Sequence, residues 1–114
     1  MDLKKIQNRL SQFASDRDWE QFHDPKNLTM ALSVEVSELL EIFQWSKNGG
    51  LDEINDEKIK KEIEREIADV FNYIVRLSDV LNIDIESVAH KKIDENELKY
   101  PIEKFKGSSR KYNK

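Results

Sequence analysis

The chain has 114 residues, 37% of them charged and 38% hydrophobic, which is enough for one domain with a real core but not for two. A formal net charge of −4 leaves no basic footprint for duplex nucleic acid, and three Gly with two Pro argue against a turn-rich β fold. Cysteine is absent, which excludes disulfides and thiolate zinc sites. In chain order, Asp2 can cap a first helix whose apolar edge is Leu3, Ile6, Leu10 and Phe13. The opening residues hold no apolar run like a signal peptide, and no stretch approaches a transmembrane span, so a cytoplasmic location is the expectation.

Arg17 to His23 then breaks the pattern with Trp19, Phe22 and His23 in one short connection. Taken alone, Trp19 and Phe22 read as plugs at the end of a helical bundle. The functional alternative is a ligand wall, since connections carry binding groups more often than helix interiors do.

The stretch from Asp24 to Trp45 is expected to organise the chain. Asp24 suits an N-cap and Pro25 the first helical position. Leu28, Ala31, Leu32, Leu39, Ile42 and Phe43 form one stripe at helical spacing. Glu35 lies inside that stripe and Glu38 at its edge. An unpaired carboxylate on a core face is costly, so something must compensate it.

Ser46 to Asn55 reads as a polar, flexible connection. Asn55 or Asp56 can cap a long helix reaching about Asn82, with Ile59, Ile63, Ile67, Val70, Ile74, Leu77 and Leu81 as its stripe. Glu62, Glu66, Asp69 and Tyr73 follow one flank at spacings of four, three and four. Asp84 can cap a last helix from Ile85 to about Lys99, stopped by Pro101. Its core face contains two polar residues, Lys92 and Asn96. Residues 103–114 read as a basic tail.

These intrusions fit together. Glu35 and Glu38 form E-x-x-E on one helix, and Glu66 and Asp69 form E-x-x-D on the next long one, after 27 intervening residues. Such pairs project two carboxylates from one helix face. On antiparallel neighbouring helices all four would converge, and they could not stay ionised together without a cation. An all-oxygen, highly anionic shell suits Mg²⁺, or Mn²⁺, and leaves positions for water and substrate phosphates. Acid-rich helices are also common as solvated faces, and a single E-x-x-E is a weak signal. A di-iron bundle ranks low, because neither His23 nor His90 stands three residues after a glutamate. No phosphate-binding loop of the G-x-x-x-x-G-K-[ST] type is present.

At these residues the chain resembles the all-α nucleoside triphosphate pyrophosphohydrolases of the MazG-like superfamily, and within them the dCTP pyrophosphatase branch. The likeness is carried by R-D-W-E-Q-F-H at 17–23, E-V-S-E-L-L-E-I-F-Q-W ending at Trp45, E-I-A-D-V-F-N-Y at 66–73, K-I-D-E-N-E-L-K-Y-P at 92–101 and S-S-R-K-Y at 108–112. It implies a single domain over residues 1–114, a four-helix bundle protomer, and assembly into dimers or a dimer-of-dimers tetramer. It implies Mg²⁺-dependent hydrolysis of a nucleoside triphosphate to the monophosphate and pyrophosphate, with dCTP or a related pyrimidine deoxynucleotide as substrate. Glu35, Glu38, Glu66 and Asp69 match the family's metal ligands. Trp19, Glu20, Gln21, Phe22, His23, Trp45 and Tyr73 match nucleotide contacts. Lys92 and Asn96 match polar positions facing phosphates or sugar, and Arg110 or Lys111 would add charge from a folded-over tail. Either Glu38 or Glu35 could orient the attacking water. Lys99, where relatives often carry Arg, and the 46–55 loop depart from the pattern and bear on substrate ranking. The alternatives are a general nucleotide pyrophosphohydrolase without base preference, a nucleotide sensor, and a non-catalytic helical module.

Overall fold

The computed structural model describes residues 1–109 and is all-helical among them. The helices are α1 (Leu3–Asp16), α2 (Pro25–Phe43), α3 (Leu51–Asn55), α4 (Glu57–Val80), α5 (Ile85–Lys99) and α6 (Ile102–Phe105). A single 3₁₀ turn, Glu20–Phe22, lies between α1 and α2. The chain divides into two compact units, Met1–Asn82 and the residues from Ile83 onward.

In the first unit each long helix starts on an aspartate. Asp2 Oδ1 accepts from the Lys5 amide at 3.0 Å, and Asp24 Oδ1 accepts from the Asn27 amide at 2.7 Å. Asp56 Oδ1 accepts from the Lys58 and Ile59 amides at 3.0 and 3.1 Å. Each bond satisfies amides that have no partner inside the first turn. Asp18, with φ 54°, turns the chain out of α1, a conformation Asp tolerates better than most residues. The Gln21 side-chain amide then donates to the Asp18 carbonyl and carboxylate, which tightens the turn.

The organising element is α4 rather than α2, because α1, α2 and α3 all pack on α4. This explains why its burial does not follow one stripe. Ile63 is buried as expected, whereas Ile67 is 54% exposed. Val75, Arg76 and Ser78, off the expected stripe, are buried instead. A helix covered on several sides buries residues that a single periodic face leaves out. On α2, Leu28 is fully buried.

Two expected boundaries shift. Helix α2 stops at Phe43, two residues short of Trp45, where the Ser46 amide bonds the Phe43 carbonyl at 3.0 Å. The 46–55 segment is not simply a flexible connection, since α3 occupies its second half. Ser46 Oγ accepts from the Gly50 amide at 2.7 Å, and Asn48 Oδ1 from the Asp52 amide at 3.3 Å. Asp52 and Glu53 in the first turn complement the helix dipole. Gly50 has φ 94°, and a Cβ there would meet the Phe43 ring at 3.0 Å. The entry to α3 therefore needs glycine on both conformational and steric grounds.

In the second unit Asp84 caps α5 through the Ser87 amide at 3.1 Å, and α5 ends at Lys99. Lys92 and Asn96 do not lie in a core here: both are exposed, as are Val88 and Ala89 of the same face. The region read as a tail begins as structure, because 103–105 belong to α6. The Tyr100 and Phe105 rings meet edge to face with centroids 4.9 Å apart, which gives this short helix something to pack against. No helix among the described residues is long and apolar enough to cross a membrane.

Candidate functional site

Helices α2 and α4 bring three acids together. Glu35, Glu38 and Glu66 each present one carboxylate oxygen within 4.8 Å of the others. The i, i+3 spacing puts the first two on one side of α2, and the packing of α2 on α4 supplies the third. The Oε2 atoms of Glu35 and Glu66 are buried and have no hydrogen-bond partner. Burial pushes the Glu35 carboxyl up to about 7, helped by the nearness of the Glu66 and Glu38 carboxyls and by the charges of Glu38 and Asp69. At Glu66 the nearby Glu35 carboxyl pulls the carboxyl down, but burial and the charges of Glu38 and Asp69 outweigh it and hold it above the usual range. Buried acceptors this close to one another fit a divalent metal ion.

Asp69 is not one of the three acids whose oxygens all lie within 4.8 Å of one another. Its charge nonetheless acts on Glu35 and Glu66. It lines a neighbouring cavity of about 520 Å³ together with Trp19, His23, Tyr73 and Arg76. Burial and the charges of Glu35 and Asp69 raise the Tyr73 phenol above its usual value, and this ring also lines the cavity. A second cleft of about 640 Å³ is lined by Glu38, Glu66, Glu62 and Arg65. The acidic cluster is thus flanked by an aromatic hollow and a charged one.

The connection at 17–23 divides between its two readings. Trp19 lines the cavity and packs edge-on against Phe13, with centroids 5.6 Å apart. Phe22 is exposed and is not among the cavity's lining residues. Glu20 acts on His23 through its charge, and Gln21 is held by Asp18. Trp45 is 83% exposed and outside the cavity. In the second unit Lys92 pairs with Glu95 at 3.2 Å, and Asn96 is exposed. Arg110 and Lys111 lie outside the described residues.

Sequence reasoning passed over Arg76, Arg9 and Asn72, which also line the cavity. Arg76 left a trace, an arginine inside the apolar run Y-I-V-R-L. Arg9 and Asn72 leave none, since each looks like an ordinary polar helix residue.

The MazG-like family matches residues 30–114 of the chain. The chain is 38% identical over 111 residues to dCTP pyrophosphatase 1 of Homo sapiens, and 37% identical to the protein of that name from Rattus norvegicus. Both alignments cover 96% of this chain, which spans 65% of the length of these relatives. A crystal structure of a pyrophosphatase from Archaeoglobus fulgidus superposes with a TM-score of 0.81 at 40% identity, covering 89% of this chain and 94% of that one. Sequence and structure agree that the chain belongs to the MazG-like family.

Proposed function

We propose that the protein hydrolyses a nucleoside triphosphate, dCTP or a related pyrimidine deoxynucleotide, to the monophosphate and pyrophosphate. The observation that carries this reading is the pair of partnerless buried oxygens on Glu35 and Glu66, facing Glu38 beside a cavity walled by Trp19 and Tyr73. The names of the relatives, dCTP pyrophosphatase 1, support the substrate. Glu35, Glu38 and Glu66 would hold Mg²⁺, with Asp69 completing the set and Mn²⁺ an acceptable replacement. When bound, the cation offsets charge on the departing pyrophosphate and acidifies a nearby water.

The chain's own residues do the rest. Glu35 or Glu38 orients the water and takes its proton as oxygen attacks the α-phosphorus. The bond from that phosphorus to the bridging oxygen breaks, and the electron pair leaves with pyrophosphate. Trp19 and Tyr73 stack on or confine the base, and each stacking contact contributes about 1–3 kcal/mol without choosing among bases. By the family resemblance, Lys92, Asn96, Arg110 and Lys111 are the candidates for binding phosphate and sugar. Residues 1–114 act as one catalytic domain in the cytoplasm, as part of a dimer or tetramer. The exposure of Leu40, Trp45 and Leu98, at 66%, 83% and 84%, supports assembly.

The test is incubation with dCTP, dTTP, dUTP, dATP and dGTP in Mg²⁺, with pyrophosphate measured. Release from dCTP ahead of the purine nucleotides is expected. No release from any of them removes the proposal, and equal kcat/KM across the panel leaves a general nucleotide pyrophosphohydrolase.

A further inference from the structure

The cavity wall contains an arrangement that the acidic cluster does not use. Arg76 is only 9% exposed although it is charged. Its Nε donates to Nδ1 of His23 at 3.1 Å, across 53 residues of sequence. Its Nη1 lies 3.7 Å from Asp79 Oδ2, which anchors the guanidinium on α4. Trp19 meets the His23 ring edge-on at 6.4 Å, which limits how the imidazole can turn.

Guanidinium has only donors and does not give up its proton in proteins. Nδ1 of His23 must therefore be an acceptor, and the ring's single proton must sit on Nε2. Protonating Nδ1 would set N–H against N–H. Burial and the Arg76 charge accordingly hold the His23 pKa below its usual value, and Glu20 does not reverse this. His23 lines the cavity, as Arg76 does.

We propose that Arg76 is a positioning residue that sets base selection by holding His23 as a neutral Nε2–H donor in the cavity wall. The inference rests on the nucleotide reading above. A fixed donor must meet an acceptor on the base edge. Cytosine offers two adjacent acceptors, O2 and N3. Thymine and uracil carry N–H at position 3, so a donor aimed there meets a donor, and both lose their partners. A histidine free to exchange tautomers would accept either edge. Stacking on Trp19 and Tyr73 cannot supply this discrimination, because every base offers a π-face. A site with a fixed hydrogen-bonding pattern can supply it, because the mismatched base leaves buried groups unpaired.

The first experiment is ¹⁵N–¹H correlation of the imidazole nitrogens in the intact protein, which needs neither metal nor turnover. A His23 signal with the proton on Nε2 and a bare Nδ1 is expected, and a proton on Nδ1 overturns the proposal. The second compares wild type, Arg76→Met and Arg76→Lys with dCTP and dTTP. Arg76→Met is expected to lower the dCTP to dTTP ratio of kcat/KM by about tenfold, mainly through KM. Arg76→Lys, which keeps a donor for Nδ1, is expected to recover part of the ratio. Turnover of dCTP by the wild type with an unchanged ratio in Arg76→Met overturns this inference and leaves the proposed function standing. A wild type that turns over no nucleotide removes both. If Arg76→Met does not fold, the tautomer in the wild type still decides.

Discussion

Replacing Glu35 by Gln should stabilise the metal-free protein at alkaline pH and do nothing for it in acid. The reasoning starts from a carboxyl raised from 4.5 to about 7 by burial and by its acidic neighbours. At about 1.36 kcal/mol per pH unit, that difference corresponds to about 3 kcal/mol. Glu38 is exposed, so solvent reaches the cluster, and screening reduces the figure to about 1–2 kcal/mol. The sign follows from which state holds the proton. Below 4.5 both folded and unfolded chains are protonated at this position, and the stability is fully present. Between 4.5 and about 7 the unfolded chain ionises while the folded one does not, so stability falls and stays lost above that window. Gln keeps the shape of Glu35 and has no proton to lose. In EDTA at about pH 8, Glu35→Gln should melt about 4–10 °C above the wild type, and at about pH 4.5 the two should coincide. Added Mg²⁺ should raise the wild-type melting temperature and raise that of the variant less. Scanning calorimetry at both pH values reads all of this. A variant that melts below the wild type at high pH, or a gap that does not change with pH, refutes the argument.

Glu38→Gln and Asp69→Asn should each abolish pyrophosphate release with helical content unchanged by circular dichroism; near-normal turnover at saturating Mg²⁺ in either would count against the metal assignment. Lys92→Met should reduce turnover far more than stability, since Lys92 is exposed and its ion pair with Glu95 lies at the surface, and unchanged activity would leave Lys92 as a surface residue. Gly50→Ala should destabilise the protein by about 1–2 kcal/mol in urea unfolding, because the position combines left-handed backbone with the Phe43 ring; a neutral result would show that the ring yields. Light scattering at micromolar concentration should show a dimer or tetramer, and a monomer would remove the proposed assembly.

Much of the helical layout could be read from the sequence because its start signals are local. Asp2, Asp24, Asp56 and Asp84 each look like caps and each accept an amide bond in the first turn. The acidic cluster was legible for a similar reason: a carboxylate such as Glu35 inside an apolar stripe contradicts its surroundings. What escaped depends on tertiary context. Packing against three helices made α4 the hub and buried Arg76, which no single periodic stripe reports. Helix α3 needed Ser46 and Asn48 to fold back onto its first turn, and α6 needed Phe105 to meet Tyr100. Asp69 was grouped with Glu66 by spacing; it lines the cavity and stands outside the group of three, while its charge still acts on Glu35 and Glu66.

The aspartate caps also bear on how the chain folds. Each is a hydrogen bond across two or three residues, so each long helix carries its own start signal and needs no distant partner to place it. Nucleation, the costly step in helix formation, is thereby assisted locally in each long segment. Topologies built from such short-range contacts fold early and fast, in the microsecond to millisecond class of helical domains. The slower event is then the docking of helices onto α4. A protein of this kind reaches its secondary structure from signals within each segment, at a rate that does not depend on its concentration.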